Sequence, residues 1–191
     1  MYKTIFVTNR HLTDHFWEQF QKVIESGVSA VILREKDLSE QEYEAQARDA
    51  IEICDAKGIP LYLHTYTETA KHLNCQQIHL PLSRFLQMDE SEKNAFREIG
   101  VSIHSVKEAI KAEQAGAAYV TAGHIFPTDC KKGLEPRGLA FLSEVCRSVT
   151  IPVYAIGGIT KENAASCISA GAAGICLMSS LMKAEKPECI F

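Results

Sequence analysis

The chain has no surplus of positive charge, no C-x-x-C pair and no long unbroken apolar run, and each absence removes a class of function. Twenty Lys and Arg stand against 24 Asp and Glu, a formal charge of −4. Without a basic excess there is little to neutralise a phosphate backbone, so nucleic acid is not an expected partner. Seven cysteines, at positions 54, 75, 130, 146, 167, 176 and 189, form an odd set without redox-motif spacing. Several lie in apolar runs such as Gly174-Ile-Cys-Leu-Met178, where a thiol acts as a small hydrophobe. A disulfide framework is therefore not expected, and the cysteine usage suits a reducing, cytoplasmic setting. The start, Met1 to Thr8, is too short an apolar run for a signal peptide. Asn163 to Met182 lacks charge over twenty residues, but its Asn, Gly and Ser residues break the apolar continuity that a membrane span needs, so no membrane partner is expected.

What is present is globular. Hydrophobic residues make up 46% and charged residues 23% of 191 positions, values ordinary for one folded domain. No linker or low-complexity segment divides the chain, and residues 1–191 read as a single domain.

Eight short apolar runs recur: Thr4–Thr8, Ala30–Arg34, Leu61–His64, Gln77–Leu80, Val101–His104, Tyr119–Ala122, Val153–Ile156 and Gly174–Met178. Most are continuous rather than alternating, as in strands of a parallel sheet buried on both faces. Helical segments fall between them. Ser39 with Glu42 three residues on makes a capping box, followed by the stripe Tyr43, Ala47, Ala50, Ile51 and Cys54 and a stop at Gly58. Ser105 with Glu108 and Thr160 with Asn163 open two more helices, which end at Gly116 and Gly171. Short echoes, Gln114-Ala-Gly-Ala-Ala118 with Ser169-Ala-Gly-Ala-Ala173 and Ile59-Pro-Leu-Tyr62 with Ile151-Pro-Val-Tyr154, fit a repeated unit. Eight strands alternating with helices predict an α/β (β/α)8 TIM barrel, with an open doubly wound sheet as the rival. The third and fourth runs are so close that their helix must be brief, and little chain follows Met178, so the last helix is short or incomplete.

In a barrel, functional groups collect at the C-terminal ends of the strands. Those ends carry Arg34-Glu35-Lys36, His64-Thr65, His79, Ser102 and His104, Gly123-His124, Gly157-Gly158 and Met178-Ser179-Ser180. The Gly pair after the seventh run and the Ser pair after the eighth sit where barrels often hold phosphate, through close backbone approach. The loop from Gly123 to Gly138 is long and polar, as functional lids are, and its Lys131, Lys132 and Arg137 suit an anionic substrate. His124 stands where the sixth strand gives way to that loop, and its titration range makes it a candidate acid–base group.

These motifs resemble the superfamily of thiamine phosphate synthases and thiazole tautomerases (TenI-like). The likeness runs from Ile5 to about Leu181 and is carried by Arg34-Glu-Lys36, Ser102-Ile-His-Ser105, Gly123-His-Ile-Phe-Pro-Thr128 with Lys131, and Ala155-Ile-Gly-Gly-Ile159. It implies a (β/α)8 barrel. The synthase branch joins a pyrimidine pyrophosphate to a thiazole phosphate with Mg²⁺, held by an Asn-Asp pair after strand three and an Asp after strand four. Here those segments read His64-Thr65 and Pro81-Leu-Ser-Arg84, and Ile32 replaces the Gln of the synthase Gln-x-Arg-x-Lys motif. In the synthase, strand six leads into Gly-Pro-Ile-Phe-Pro-Thr; here the Pro is His124, which resembles the tautomerase pattern.

The resemblance therefore implies a tautomerase-like isomerase that aromatises a carboxythiazole phosphate by proton transfer, with no cofactor and no metal. On that expectation His124 moves the proton and Glu35 partners or orients it. Arg34, Lys36, Ser102, His104, Thr128 and Lys131 bind the substrate, and Gly157, Gly158, Met178 and Ser179 hold its phosphate. The partner is a small thiazole phosphate, and a homodimer is one assembly open to the chain. The alternatives are a thiamine phosphate synthase with a degenerate metal site and a non-catalytic thiazole-phosphate-binding regulator.

Overall fold

The computed structural model describes residues 2–131 and 133–190, so Lys132 lies outside the described residues. Eight parallel strands close in sequence order: β1 Lys3–Val7, β2 Ala30–Leu33, β3 Leu61–His64, β4 Gln77–Pro81, β5 Glu98–Ile103, β6 Tyr119–Gly123, β7 Val153–Ile156 and β8 Gly174–Leu177. Ile5 of β1 pairs with Ala30 on one side and with Cys176 on the other, which seals the barrel. The (β/α)8 expectation holds, and the open-sheet rival does not.

Nine helices surround or cap the strands among the described residues: α1 Phe16–Glu25, α2 Glu40–Ala56, α3 Thr67–His72, α4 Leu82–Phe85, α5 Glu90–Lys93, α6 Val106–Gln114, α7 Gly138–Ser148, α8 Lys161–Ser169 and α9 Ser179–Met182. The expected caps are present. Ser39 Oγ accepts the Glu42 N–H while Glu42 accepts from the Ser39 backbone, and Ser105 Oγ accepts the Glu108 N–H at 3.2 Å. Thr160 N–H donates to Asn163 Oδ1 at 2.8 Å. The crossover between β3 and β4 holds only the six-residue α3, and α9 is four residues long, as the spacing requires. One difference lies at β5, which begins at Glu98, three residues before the apolar run. Glu98, Ile99 and Gly100 pair in register with Gln77, Ile78 and His79, so ladder pairing extends the strand beyond its hydrophobic centre.

The main core lies between strands and helices, around Phe6, Phe20, Leu33, Tyr43, Leu63, Leu80 and Leu142, all fully buried. A second core fills the barrel, where Ile5, Val7, Ile32 and Cys176 meet Tyr62, Tyr119 and Tyr154. The Tyr119 ring stands edge-on to both Tyr62 and Tyr154. Gly100 makes this possible, because a Cβ there would clash with the hydroxyl end of the Tyr119 ring. Two buried polar ties brace the shell. Tyr43 Oη donates to Leu33 O at 2.7 Å and accepts the His64 N–H at 2.9 Å, fixing α2 to β2 and β3. Gln19 Nε2 donates to the carbonyls of Leu181 and Ala184, which fixes α1 to the chain around α9. The seven cysteines are all unpaired. Among the described residues, no helix is long and apolar enough to cross a membrane.

Candidate active site

A cavity of about 1160 Å³ opens at the C-terminal end of the barrel. It gathers side chains from positions scattered along the sequence. Arg34 and Lys36 enter after β2, Ser102 and His104 from the end of β5, and His124, Thr128 and Lys131 from the β6 loop. Gly157 and Gly158 follow β7, while Met178 and Ser179 follow β8. Eleven of the twelve residues expected at the site thus line one cavity.

Glu35 is the exception. It is buried and absent from the cavity wall. Its carboxylate accepts the Thr8 hydroxyl at 2.6 Å and the Arg10 N–H at 3.0 Å, and faces the Arg10 guanidinium at 3.6 Å. Alternation explains this: Arg34 and Lys36 point into the mouth, so the residue between them points outward. Glu35 therefore ties the β1 and β2 loops together, and the expectation that it partners His124 does not fit its placement.

The phosphate-type loops are built by close approach. Gly157 and Gly158 have φ of +96° and +67°, a region that glycine adopts without steric cost. A Cβ on Gly157 would collide with the His124 backbone and Cβ, and one on Gly158 with the carbonyls of Phe126 and Pro127. The turn is stitched to the β6 loop, since Ile125 N–H donates to Ile156 O and Phe126 N–H to Gly157 O, both at 3.0 Å. The far end of that loop returns to its start: Arg137 N–H donates to His124 O at 2.9 Å, and Gly138 N–H to Ile125 O at 3.1 Å. His124 Nε2–H donates to Leu134 O at 3.3 Å.

The cationic wall is short of counter-charge. Arg34, Lys36 and Lys131 form no ion pair among the described residues, and Lys183, after α9, adds a fourth cation to the cavity. Burial lowers the Arg34 pKa, against the nearby Glu35. Burial also lowers that of Lys36, and the neighbouring positive charges of Arg34 and Lys131 add to the effect. His104 is lowered by the same causes, burial first and then Lys131. An incoming anion would relieve this crowding.

The floor is neutral and hydrogen-bonded. His79 lies between the Tyr119 hydroxyl at 3.0 Å and the Ser102 hydroxyl at 2.8 Å, and the Thr121 hydroxyl reaches Ser102 at 3.2 Å. The His64 ring stacks on His79 with centroids 5.8 Å apart, and its Nδ1 meets the Thr65 hydroxyl at 2.7 Å. Burial depresses both, His64 to about 2 and His79 to about 3, so both rings are neutral at physiological pH. His64 closes β3, where the sequence placed polar groups, whereas His79 lies in the middle of β4. Lys183 follows the last short helix and carried no sequence signal.

The residues at the expected Mg²⁺ positions do not fit that ion. Mg²⁺ takes oxygen ligands, carboxylates above all. The β3 end offers the neutral imidazole of His64 and the hydroxyl of Thr65. Arg84, in α4, turns from the cavity to pair with Glu92 and contacts the Thr67 hydroxyl at 3.3 Å. Among the described residues, no group of three or more His, Cys, Asp or Glu is placed to hold a metal.

Fold and cavity together define a (β/α)8 barrel with a cationic mouth. A family profile described as thiamine monophosphate synthase matches residues 4–181. The thiamine-phosphate synthase of Clostridium novyi (strain NT) is 36% identical over 186 residues, 95% of this chain and 91% of that protein. Thiamine-phosphate synthase 2 of Streptococcus pneumoniae serotype 4 is 34% identical, covering 95% and 88%. The structure of a thiamine phosphate pyrophosphorylase from Pyrococcus furiosus superposes with a TM-score of 0.85 at 29% identity, over 98% of this chain and 91% of that one. The chain belongs to the thiamine monophosphate synthase family.

These relatives overturn the expected tautomerase-type isomerase. Proteins 33–38% identical over most of the chain carry the synthase name, which indicates a transferase. The isomerase expectation leaned on His124 in place of Pro and on Thr65 and Arg84 at the positions where the resemblance implies carboxylates. In the structure the His124 backbone and Cβ pack against the Gly157 turn and its ring is held by the Leu134 carbonyl, a placement that does not by itself define a proton-transfer site.

Proposed function

We propose that the chain is a transferase of the thiamine-phosphate synthase type, joining a pyrimidine pyrophosphate to a thiazole phosphate. The observation that carries this reading is the pairing of two anion-attracting regions in one cavity. One is the set of unpaired cations Arg34, Lys36 and Lys131; the other is the glycine turn with the start of α9. A tautomerase substrate bears a single phosphate group, whereas this transfer brings a diphosphate and a monophosphate together. The diphosphate leaves with the electron pair of its C–O bond, so negative charge develops where cations already crowd. The Gly157–Gly158 turn, Met178 and Ser179 hold the thiazole phosphate and set its ring over the neutral floor of Ser102, Thr121 and His79. Oriented capture of both partners supplies most of what such a reaction needs from the protein.

The test is direct. Purified protein is incubated with both substrates, and thiamine phosphate and inorganic pyrophosphate are quantified over time. Equimolar accumulation of the two products is expected. Absence of both, with folded protein at every Mg²⁺ concentration tried, would refute the reading.

A further inference from the structure

We infer that the cavity binds the diphosphate group without a divalent cation, its charge neutralised by Arg34, Lys36 and Lys131. The proposal rests on the transferase reading above and deepens it by naming how that substrate is held.

Two independent observations carry it. The first is the loss of ligands where a metal would be expected. Thr65 presents a hydroxyl, His64 a buried imidazole already bonded to that hydroxyl, and Arg84 stands where the resemblance implies an acid. Arg84 is moreover committed to Glu92 outside the cavity, so the exchange leaves that wall without negative charge. Acids that do line the mouth lie elsewhere: Glu108 accepts the His104 N–H at the start of α6, and Asp129 sits on the β6 loop.

The second is the arrangement of the cations. Arg34 is half-buried at the end of β2, Lys36 stands two residues on along the same face, and Lys131 reaches the same cavity from the β6 loop. None has an ion-pair partner among the described residues, and Lys36 feels the charges of both others. Unpaired like charges brought together in a partly desolvated wall raise the energy of the empty site, and a polyanion lowers it. Arg34 offers a planar fork of donors suited to two oxygens of one phosphoryl group, and the two lysines offer rotatable point charges for the other. A metal-bound diphosphate would bring less negative charge to this wall. A free one meets complementary charge.

Calorimetric titration with inorganic pyrophosphate tests the proposal, in EDTA and then with Mg²⁺ in excess. Binding is expected in EDTA, with no strengthening by Mg²⁺. Lys36→Gln and Lys131→Gln change exposed side chains and should fold normally; each is expected to weaken pyrophosphate about tenfold, the worth of one charge-assisted contact. Binding seen only with Mg²⁺, or unaltered in both variants, overturns the inference. The transferase reading fails separately. Pyrophosphate binding in EDTA without product formation supports the diphosphate site and refutes the transferase reading. Product formation together with pyrophosphate binding that is lost in EDTA sustains the transferase and overturns metal-free binding.

Discussion

Replacing Gly158 by Ala puts the construction of the cavity wall to a quantitative test. Two costs add. At φ +67° an alanine enters the left-handed region, a penalty of roughly 1–2 kcal/mol, offset in part by a stiffer unfolded chain. The new Cβ would also lie against the carbonyl oxygens of Phe126 and Pro127, which are backbone atoms and cannot swing aside. Forced overpacking of this kind costs about 1–3 kcal/mol. The sum is roughly 2–4 kcal/mol, or roughly 4–16 °C in Tm for a chain of this size. Gly58 supplies the control. It has φ +65°, and nothing lies within 4 Å of its Cβ position, so Gly58→Ala incurs only the backbone part, about 1 kcal/mol. Urea unfolding of both variants separates the terms, and calorimetry with inorganic phosphate at a temperature where both are folded reads the turn itself. Gly158→Ala should bind phosphate more weakly than Gly58→Ala, since the turn must move to clear the β6 loop. Equal stability losses in the two variants would refute the close-approach reasoning.

Glu35→Gln should cost about 1.5–3 kcal/mol by urea denaturation, because the buried carboxylate accepts from Thr8 and Arg10 and faces the Arg10 guanidinium; turnover per folded molecule should stay close to the parent, and a stable but inactive variant would return Glu35 to the chemistry. Stability should fall as pH drops from about 6.5 toward about 3. His64 and His79 are depressed to about 2 and about 3, so below the unfolded value of about 6.5 the unfolded chain takes up protons that the folded one refuses. Each contributes at most about 1.4 kcal/mol per pH unit, and urea midpoints should show a shallower slope for His79→Asn; an unchanged slope would mean that this ring already carries its proton in the fold.

The barrel was legible because its determinants are local. Runs such as Tyr119–Ala122 and Val153–Ile156 are buried on both faces, and Ser39–Glu42 or Ser105–Glu108 are caps whose partners lie three residues apart. The cavity wall was legible for a related reason. Once the fold is a barrel, a strand's last residues face the mouth by rule, which brings Arg34, Ser102, His124 and Gly157 together from distant positions. The direction of Glu35 could have been read from the same alternation, since its neighbours on both sides point inward. What the sequence did not show was the fit of particular side chains. That Gly100 makes room for Tyr119 depends on the register of β6 against β5, and that Arg84 turns away to Glu92 depends on how α4 and α5 fold against each other. The branch assignment failed for a different reason. His124, Thr65 and Arg84 are single positions, whereas the likeness to the synthases runs over most of the chain.

The β6 loop closes on itself at its base. Residues 124 and 125 hold both the β7 strand and the returning Arg137 and Gly138, so the stretch between them leaves and re-enters the barrel through one neck. Such a loop behaves as a detachable module. Its length, charge and sequence can change by insertion or deletion without opening the sheet, because the hydrogen bonds that seal β6 to β7 lie below the neck. A barrel of this build can therefore exchange the cationic arm beyond Pro127, which bears Lys131, for one of another chemistry while the glycine turn held by Phe126 stays fixed. New ligand preference and barrel stability are then free to vary separately.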